Sequence, residues 1–245
     1  MEISLAAEKI AHIGSFALTN SILMSWITSI VLIIIAVLVS RKHDLIPKGL
    51  QNFVEMVIEF LYNTVNDVIE DDKKTKKYLP ILATIFIFIV FNNWMGLLPG
   101  IGPIGISEIK EGENVLIPLF RSTNADLSTT LALAIVAVIG IQVFGCAAIG
   151  TLKYAKKFIN FSSPINFFLG FLELIGEFSR MISFSFRLFG NIFAGEVLLM
   201  VIAHLVPLVA SLPFFFLELF VGLIQGLVFM MLTLVFIKSA TVEAH

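Results

Sequence analysis

Residues Ile165 to Ala203 read INFFLGFLELIGEFSRMISFSFRLFGNIFAGEVLLMVIA, 39 residues without a proline. As one helix they would extend about 58 Å at 1.5 Å per residue, whereas a membrane span needs to cross only about 30 Å of hydrocarbon. A helix of that length in a bilayer has to tilt steeply or bend. Its apolar background is interrupted by Glu173, Glu177, Arg180, Arg187 and Glu196. Pro207 and Pro213 then mark a turn, and Phe214 to Ile237 runs back to Lys238 with Glu218 and Gln225 inside it. The segment reads as the first arm of a helical hairpin whose two ends lie on the same side.

The rest of the chain agrees with a membrane setting. Of 245 residues, 58% are hydrophobic and 14% charged, and the mean hydropathy is +0.98, which does not describe a soluble core. Upstream of the hairpin, Ile22–Ser40, Ile81–Pro99 and Leu127–Leu152 are each long and uncharged enough to span. The first lies well inside the chain with no basic segment before it and no small-residue cleavage pattern after it, so it reads as a retained helix rather than a signal peptide.

Basic residues gather at Arg41, Lys42 and Lys48, at Lys73, Lys74, Lys76 and Lys77, and at Lys153, Lys156 and Lys157. The positive-inside rule places all three clusters in the cytoplasm, and so the N-terminus outside and the C-terminus inside. Lys48–Glu70, between two inside clusters, then cannot cross an odd number of times. Its apolar positions Leu50, Phe53, Val54, Val57, Phe60, Leu61, Val65 and Val68 recur at helical spacing against a stripe of Asn52, Glu55, Glu59, Asn63, Asn66 and Glu70. This predicts an amphipathic surface helix whose acidic polar face suits a protein neighbour as well as lipid. Gly100–Asp126, rich in Gly and Pro, reads as an irregular outside loop. The expected fold is an all-α integral membrane protein: an N-terminal transmembrane helix, a surface amphipathic helix, two further transmembrane helices and a long, steeply tilted C-terminal hairpin. It forms one membrane domain over residues 1–245.

Several function classes fall away. Sixteen Lys and Arg against eighteen Asp and Glu leave no polybasic field for nucleic acid. The single Cys146 excludes an internal disulfide framework, and four scattered histidines give no zinc-site spacing. No Ser is paired with a suitably placed His or Lys for a membrane hydrolase.

The hairpin charges carry the functional reading, because a charge at mid-bilayer costs at least about 2.5 to 3.5 kcal/mol on insertion scales. Glu173, Arg180 and Arg187 are spaced seven apart and share one side of a helix, with Glu177, Phe184 and Asn191 beside them. Glu196 lies on the opposite side and about 13 Å further along, so it is no local partner of Arg187. Glu218 and Gln225 share a face of the returning helix, so two polar stripes can meet across the hairpin. Gly190 and Ala194 make a small-residue pair close to the direction of Arg187, a surface that admits another helix. Arginine keeps its proton in proteins, so Arg187 acts as a fixed charge rather than an ion carrier. Arg180, three residues after Glu177, suits either an ordinary helix ion pair or a place on an ion path. Asn191 suits either hydration of a path or local backbone bonding. One alternative is a secondary transporter that binds an anionic substrate at Arg187, although such folds are expected to show internal repeats and broken helices. Another is a structural scaffold, which would not need so many ionisable groups.

The run Arg187-Leu188-Phe189-Gly190-Asn191 with Ala194-Gly195-Glu196, followed by Gln225, resembles the signature of subunit a of the F-type ATP synthase membrane sector. Asn93-Trp94-Met95-Gly96-Leu97-Leu98-Pro99 and Ala125-Asp126-Leu127-Ser128-Thr129-Thr130-Leu131 are similar to a helix end and a helix start of that family, so the likeness spans the chain in order. The resemblance implies a non-catalytic, ion-conducting stator subunit without a cofactor, set in the plasma membrane. Its implied partners are the c-subunit ring, the b-subunit peripheral stalk, the rest of the ATP synthase complex and membrane lipid. Arg187 is implied to face the ring, whose carboxyls are neutral towards lipid and ionised opposite a fixed positive charge. It would also separate two offset half-channels, so that ions cross only by riding the ring. Glu196, Glu218 and Gln225 are implied to line the outside half-channel, with Gln225 supporting Arg187 by a hydrogen bond. Glu173 is implied to attract ions near the cytoplasmic exit. The position of Glu218 varies in the family between His and an acid; here both it and the position of Glu196 are acidic.

Overall fold

The computed structural model describes residues 8–13, 16–41, 46–98, 105–110, 113–118, 120–158, 163–206 and 211–241. Lys42, Pro99, Pro207 and the extreme C-terminus, which entered the expectations above, lie outside the described residues. Among the described residues the chain forms α1 (Asn20–Ser40), α2 (Leu50–Ile69), α3 (Asp72–Gly96), α4 (Leu127–Ile149), α5 (Thr151–Phe158), α6 (Pro164–Leu205) and α7 (Ser211–Thr241). Five of these, α1, α3, α4, α6 and α7, are long and apolar enough to cross a membrane. The architecture is that of an all-α membrane protein.

Helix ends follow local chemistry. The Asp71 carboxylate caps α3 by accepting from the Lys73 and Lys74 amides, and Asp126 caps α4 by accepting from Ser128. α3 therefore starts at Asp72, well before the apolar run that opens at Ile81, because an apolar window stops at charges and a capped helix does not. It carries Pro80 inside. α4 stops at Ile149 rather than Leu152, since Gly150 adopts φ 94°, a conformation that suits glycine. Leu152 belongs instead to α5. α6 is continuous over 42 residues with Pro164 in its first turn. α7 begins at Ser211, so Pro213 sits in its first turn, where no intrahelical donor is lost.

The segment expected to be irregular holds an antiparallel ribbon of two short strands. Gly105–Lys110 pairs with Glu113–Pro118, Gly105 opposite Pro118 and Lys110 opposite Glu113, and a single 3-10 turn follows at Thr123–Ala125. A second ribbon, Lys9–Ile13 with Phe16–Thr19, precedes α1. Neither ribbon shows the sustained alternation that reveals a strand in sequence.

Lipid is as apolar as leucine, so helices in it associate through close fit and hydrogen bonds. Gly226 of α7 lies so near α3 that a Cβ there would stand 2.7 Å from Val90 Cγ2, and one at Gly222 would stand 3.0 Å from Asn93 Cβ. Asn93 Nδ2 donates to the Gly222 carbonyl at 2.9 Å, Trp94 Nε1 to that of Leu219 at 3.0 Å, and Asn124 Nδ2 to Asn93 Oδ1 at 2.7 Å. Asn93 thus bridges helices rather than ending one. Between α4 and α6, Ala134 and Ala137 join Phe184, Leu188, Ile192 and Phe229 in one buried cluster, and Thr130 and Ser185 share a hydroxyl bond of 3.1 Å.

α2 packs on the bundle through Leu61 and Val65, both fully buried, while Leu50, Phe53, Met56 and Phe60 stay exposed. Lys238 Nζ at the end of α7 donates to the Val68 carbonyl at 2.6 Å. The start of α3, α5 and the end of α7 meet α2 in a second cluster containing Tyr78, Tyr154 and Ile237. Glu70 closes α2 in the left-handed region at φ 58°, where a side chain costs energy that glycine avoids. Glu70→Gly is therefore expected to stabilise the protein by about 1 kcal/mol, read as a rise in the thermal unfolding midpoint in detergent; an unchanged or lower midpoint would count against this account.

Candidate functional site

The buried side of α6 consists of Phe184, Ser185, Leu188, Phe189, Ile192 and Gly195, and its other side leaves Phe186, Arg187, Gly190, Asn191, Ala194 and Leu198 exposed. A Cβ at Gly190 would meet nothing within 4 Å. Arg187 projects from this open, small-residue face, and among the described residues no hydrogen bond or ion pair joins it. One turn on, Asn191 Nδ2 donates to Gln225 Oε1 of α7 at 2.8 Å. Gln225 is buried, and its own Nε2 has no partner among the described residues. The two polar stripes do meet across the hairpin, but Gln225 bonds Asn191 where a bond to Arg187 was expected. Asn191 accordingly bonds across the helices instead of to its own backbone.

Towards the C-terminal end of α6, Glu196 and Glu218 face a common cavity of about 190 Å³, whose walls also include Asn93, Ser122, Ile192 and Phe215. Its size, and the four polar side chains Asn93, Ser122, Glu196 and Glu218 in its walls, suit water. Glu196 pairs with Arg121 at 3.4 Å. Glu218 is buried, with Oε1 unpartnered among the described residues. Its carboxylate fits there because residue 195 is glycine: a Cβ at that point would overlap the Glu218 carboxylate. Gly195→Ala is expected to push the carboxylate aside while α6 stays helical, changing the labelling of Glu218 by a water-soluble carbodiimide more than thermal stability. Equal labelling of the variant and the native chain would show that the notch is incidental.

A third polar group lies towards the N-terminal end of α6. Lys157 of α5 pairs with Glu173 at 3.0 Å, and Arg180 pairs with Glu173 at 3.7 Å and with Glu177 in close contact. The Arg180 guanidinium also lies 4.4 Å from the Phe236 ring centroid. Of the two readings open for Arg180, the geometry is that of an ion pair. Nearby, Tyr154 donates to Gln142 Oε1 at 2.7 Å. Burial, and then the proximity of Glu177, push the Tyr154 phenol up to about 12, so it remains a neutral donor at ordinary pH.

Of the residues singled out from the sequence, Glu196 comes together with Glu218, and Asn191 with Gln225. Arg187 stands apart on the open face, and Glu173 lies at the other end of the helix, about 21 Å along the axis from Arg187. Arg121 and Gly195 were not singled out. Arg121 lies in the segment read as a loop and Gly195 is one of several small residues in the arginine block, so nothing local in the sequence marks either.

The chain matches the family model described as ATP synthase A chain over residues 22–238. It is 34% identical over 219 residues to the ATP synthase subunit a of Campylobacter jejuni subsp. doylei, covering 88% of this chain and 87% of that one. To that of Moorella thermoacetica it is 32% identical over 231 residues, 94% of each chain. To that of Trichlorobacter lovleyi it is 30% identical, across 99% of this chain and 96% of the other.

Proposed function

This chain belongs to the ATP synthase A chain family, and on that premise we propose that it is the ion-conducting stator subunit of an F-type ATP synthase, with Arg187 facing a ring of c subunits. The observation that carries this reading is the position of Arg187. It is an exposed guanidinium on the small-residue face of α6, with the Glu196–Glu218 cavity towards one end of the hairpin and the Glu173–Arg180–Glu177 group towards the other. A second helix can approach at Gly190 and Ala194 and bring its carboxyl to the arginine.

The two polar groups are then the two half-channels. Glu196 and Glu218 serve the outside one and Glu173 marks the cytoplasmic exit. Arg187 lies between them as a charge that cannot carry a proton. An ion enters at one group, rides a neutralised ring carboxyl past the lipid and leaves at the other, so transport is tied to rotation. Gln225 and Asn191, bonded to each other, keep the contact surface rigid beside Arg187. The chain itself catalyses no chemical step.

The membrane placement follows the basic residues. Those of α3, α5 and α7 lie at the end of the bundle where α2 packs, which supports that end being cytoplasmic. α2 then rests on the inner membrane surface with Leu50, Phe53 and Met56 towards lipid, α6 crosses steeply tilted, and the N-terminus is outside. Residues 1–245 act as one membrane domain of the plasma membrane, held beside the ring by the b-subunit stalk. A transporter that binds an anion at Arg187 would need the guanidinium inside a pocket, whereas it projects from an open helix face.

The test is ATP-driven acidification of inverted vesicles that contain the assembled complex. Loss of pumping in Arg187→Ala with assembly intact supports the proposal, and normal pumping overturns it.

A further inference from the structure

We infer that the outer half-channel runs as a file of water along one face of α7, from Ser211 through Glu218 to Gln225, and that the Ser211 hydroxyl is the station at which an ion enters it. This rests on the stator reading above and adds a residue that the reading does not contain.

Ser211, Glu218 and Gln225 follow one another at intervals of seven on α7. Seven residues are close to two full turns, so the three side chains share one face over about 21 Å of helix. Each carries a buried polar atom with no hydrogen-bond partner among the described residues: Ser211 Oγ, Glu218 Oε1 and Gln225 Nε2. Among the described residues only Thr28, Asn92 and Glu177 carry another such atom, so half of the six lie on this one face. A buried polar atom left unpaired is costly, and ordered water is the usual remedy where there is room for it.

Room is present at the middle station. Glu218 lines the cavity of about 190 Å³ together with Phe215, one turn of α7 after Ser211, and with Ile192 and Leu199 of α6. The three unpaired atoms suit a single file of water, since Glu218 Oε1 accepts, Gln225 Nε2 donates and a serine hydroxyl does either. Successive side chains stand about 10.5 Å apart along the axis, too far for a direct hydrogen bond, so water has to carry an ion between them. Gln225 ends the file, with its Oε1 held by Asn191, one turn of α6 from Arg187. Ser211 begins it, because α7 starts there after the hairpin turn, which the stator reading puts outside. The Ser211 hydroxyl serves through hydrogen bonds alone and undergoes no covalent change.

The test is thiol labelling of the whole complex in cells, with Cys146→Ser first removing the one native thiol of this chain. Ser211→Cys is then treated from outside with a membrane-impermeant, cationic methanethiosulfonate, and ATP-driven acidification is measured in inverted vesicles made from those cells. Position 211 is expected to be labelled, and labelling to lower pumping at least about tenfold, the scale of one hydrogen bond lost from the path. Leu217→Cys, on the exposed face of α7, is expected to stay unlabelled in its lipid setting. No labelling at 211, equal labelling at 217, or labelling at 211 that leaves pumping unchanged would overturn the inference. If Ser211→Cys does not assemble, Ser211→Thr and Ser211→Val replace it, two side chains of one shape of which only threonine keeps the hydroxyl. Equal pumping by that pair overturns the inference, and a tenfold deficit in the valine variant supports it. Arg187→Ala run beside these separates the two levels, since normal pumping by that variant would sink the stator reading itself, whatever position 211 does.

Discussion

Inverted vesicles carrying Arg187→Ala are expected to show no ATP-driven acidification above background while the complex still assembles. The size of the effect follows from electrostatics. A positive charge about 4 Å from a ring carboxylate is worth about 4 kcal/mol at the effective dielectric of a protein surface. At 1.36 kcal/mol per decade, that is about a thousandfold bias towards releasing the ion at the stator. Without it, the ring carboxyl opposite α6 keeps its ion and rotation is no longer tied to transport. Folding should be affected little, because Arg187 is exposed and no ion pair or hydrogen bond joins it among the described residues. Arg187→Lys is expected to fail as well. An ammonium is a compact point charge that loses its proton more readily in a dry setting, and it lacks the planar fork of arginine. Normal pumping by Arg187→Ala would make the arginine structural.

The second large effect is expected at Glu218. Glu218→Gln preserves shape and removes the ionisable group from the cavity shared with Glu196. Pumping, and passive conduction through the membrane sector with the catalytic part removed, should both fall about 10²-fold, the usual worth of a positioned proton-transfer group. Glu218→His, which restores a titratable group, should recover part of the rate. The notch at Gly195 supplies a control in the same place, because narrowing it displaces the carboxylate without removing it. If Glu218→Gln conducts like the native chain while Glu196→Gln does not, Glu196 would be the carrier.

Much of this was legible in the sequence. The spans, the long unbroken α6 and the amphipathic α2 all follow from properties that repeat or act within a few residues. The arginine block was legible as a resemblance, and the meeting of two polar stripes follows from helical spacing and one turn. The misses have local causes. The apolar window gives α3 short because Lys73 to Lys77 end it, although Asp71 caps a helix there. In sequence α4 runs on into α5 because Gly150 looks like any other small residue until its φ is known. The ribbon at Gly105–Lys110 and Glu113–Pro118 lacks sustained alternation.

By itself, then, the sequence determined which segments are helices, which of them can cross a membrane, and which side chains share a face, because 3.6-residue periodicity and apolar length are properties of a single segment. Only the tertiary structure decided the pairings. Arg121 meets Glu196 across 75 positions of chain, Asn191 rather than Arg187 meets Gln225, and Glu218 lies in the space left open by Gly195. Each depends on how far each helix is rotated about its axis and how closely it approaches its neighbour. Those two quantities are set by the fit of every interface at once, through glycines such as Gly222 and Gly226 and bridging amides such as Asn93, and no single segment encodes them.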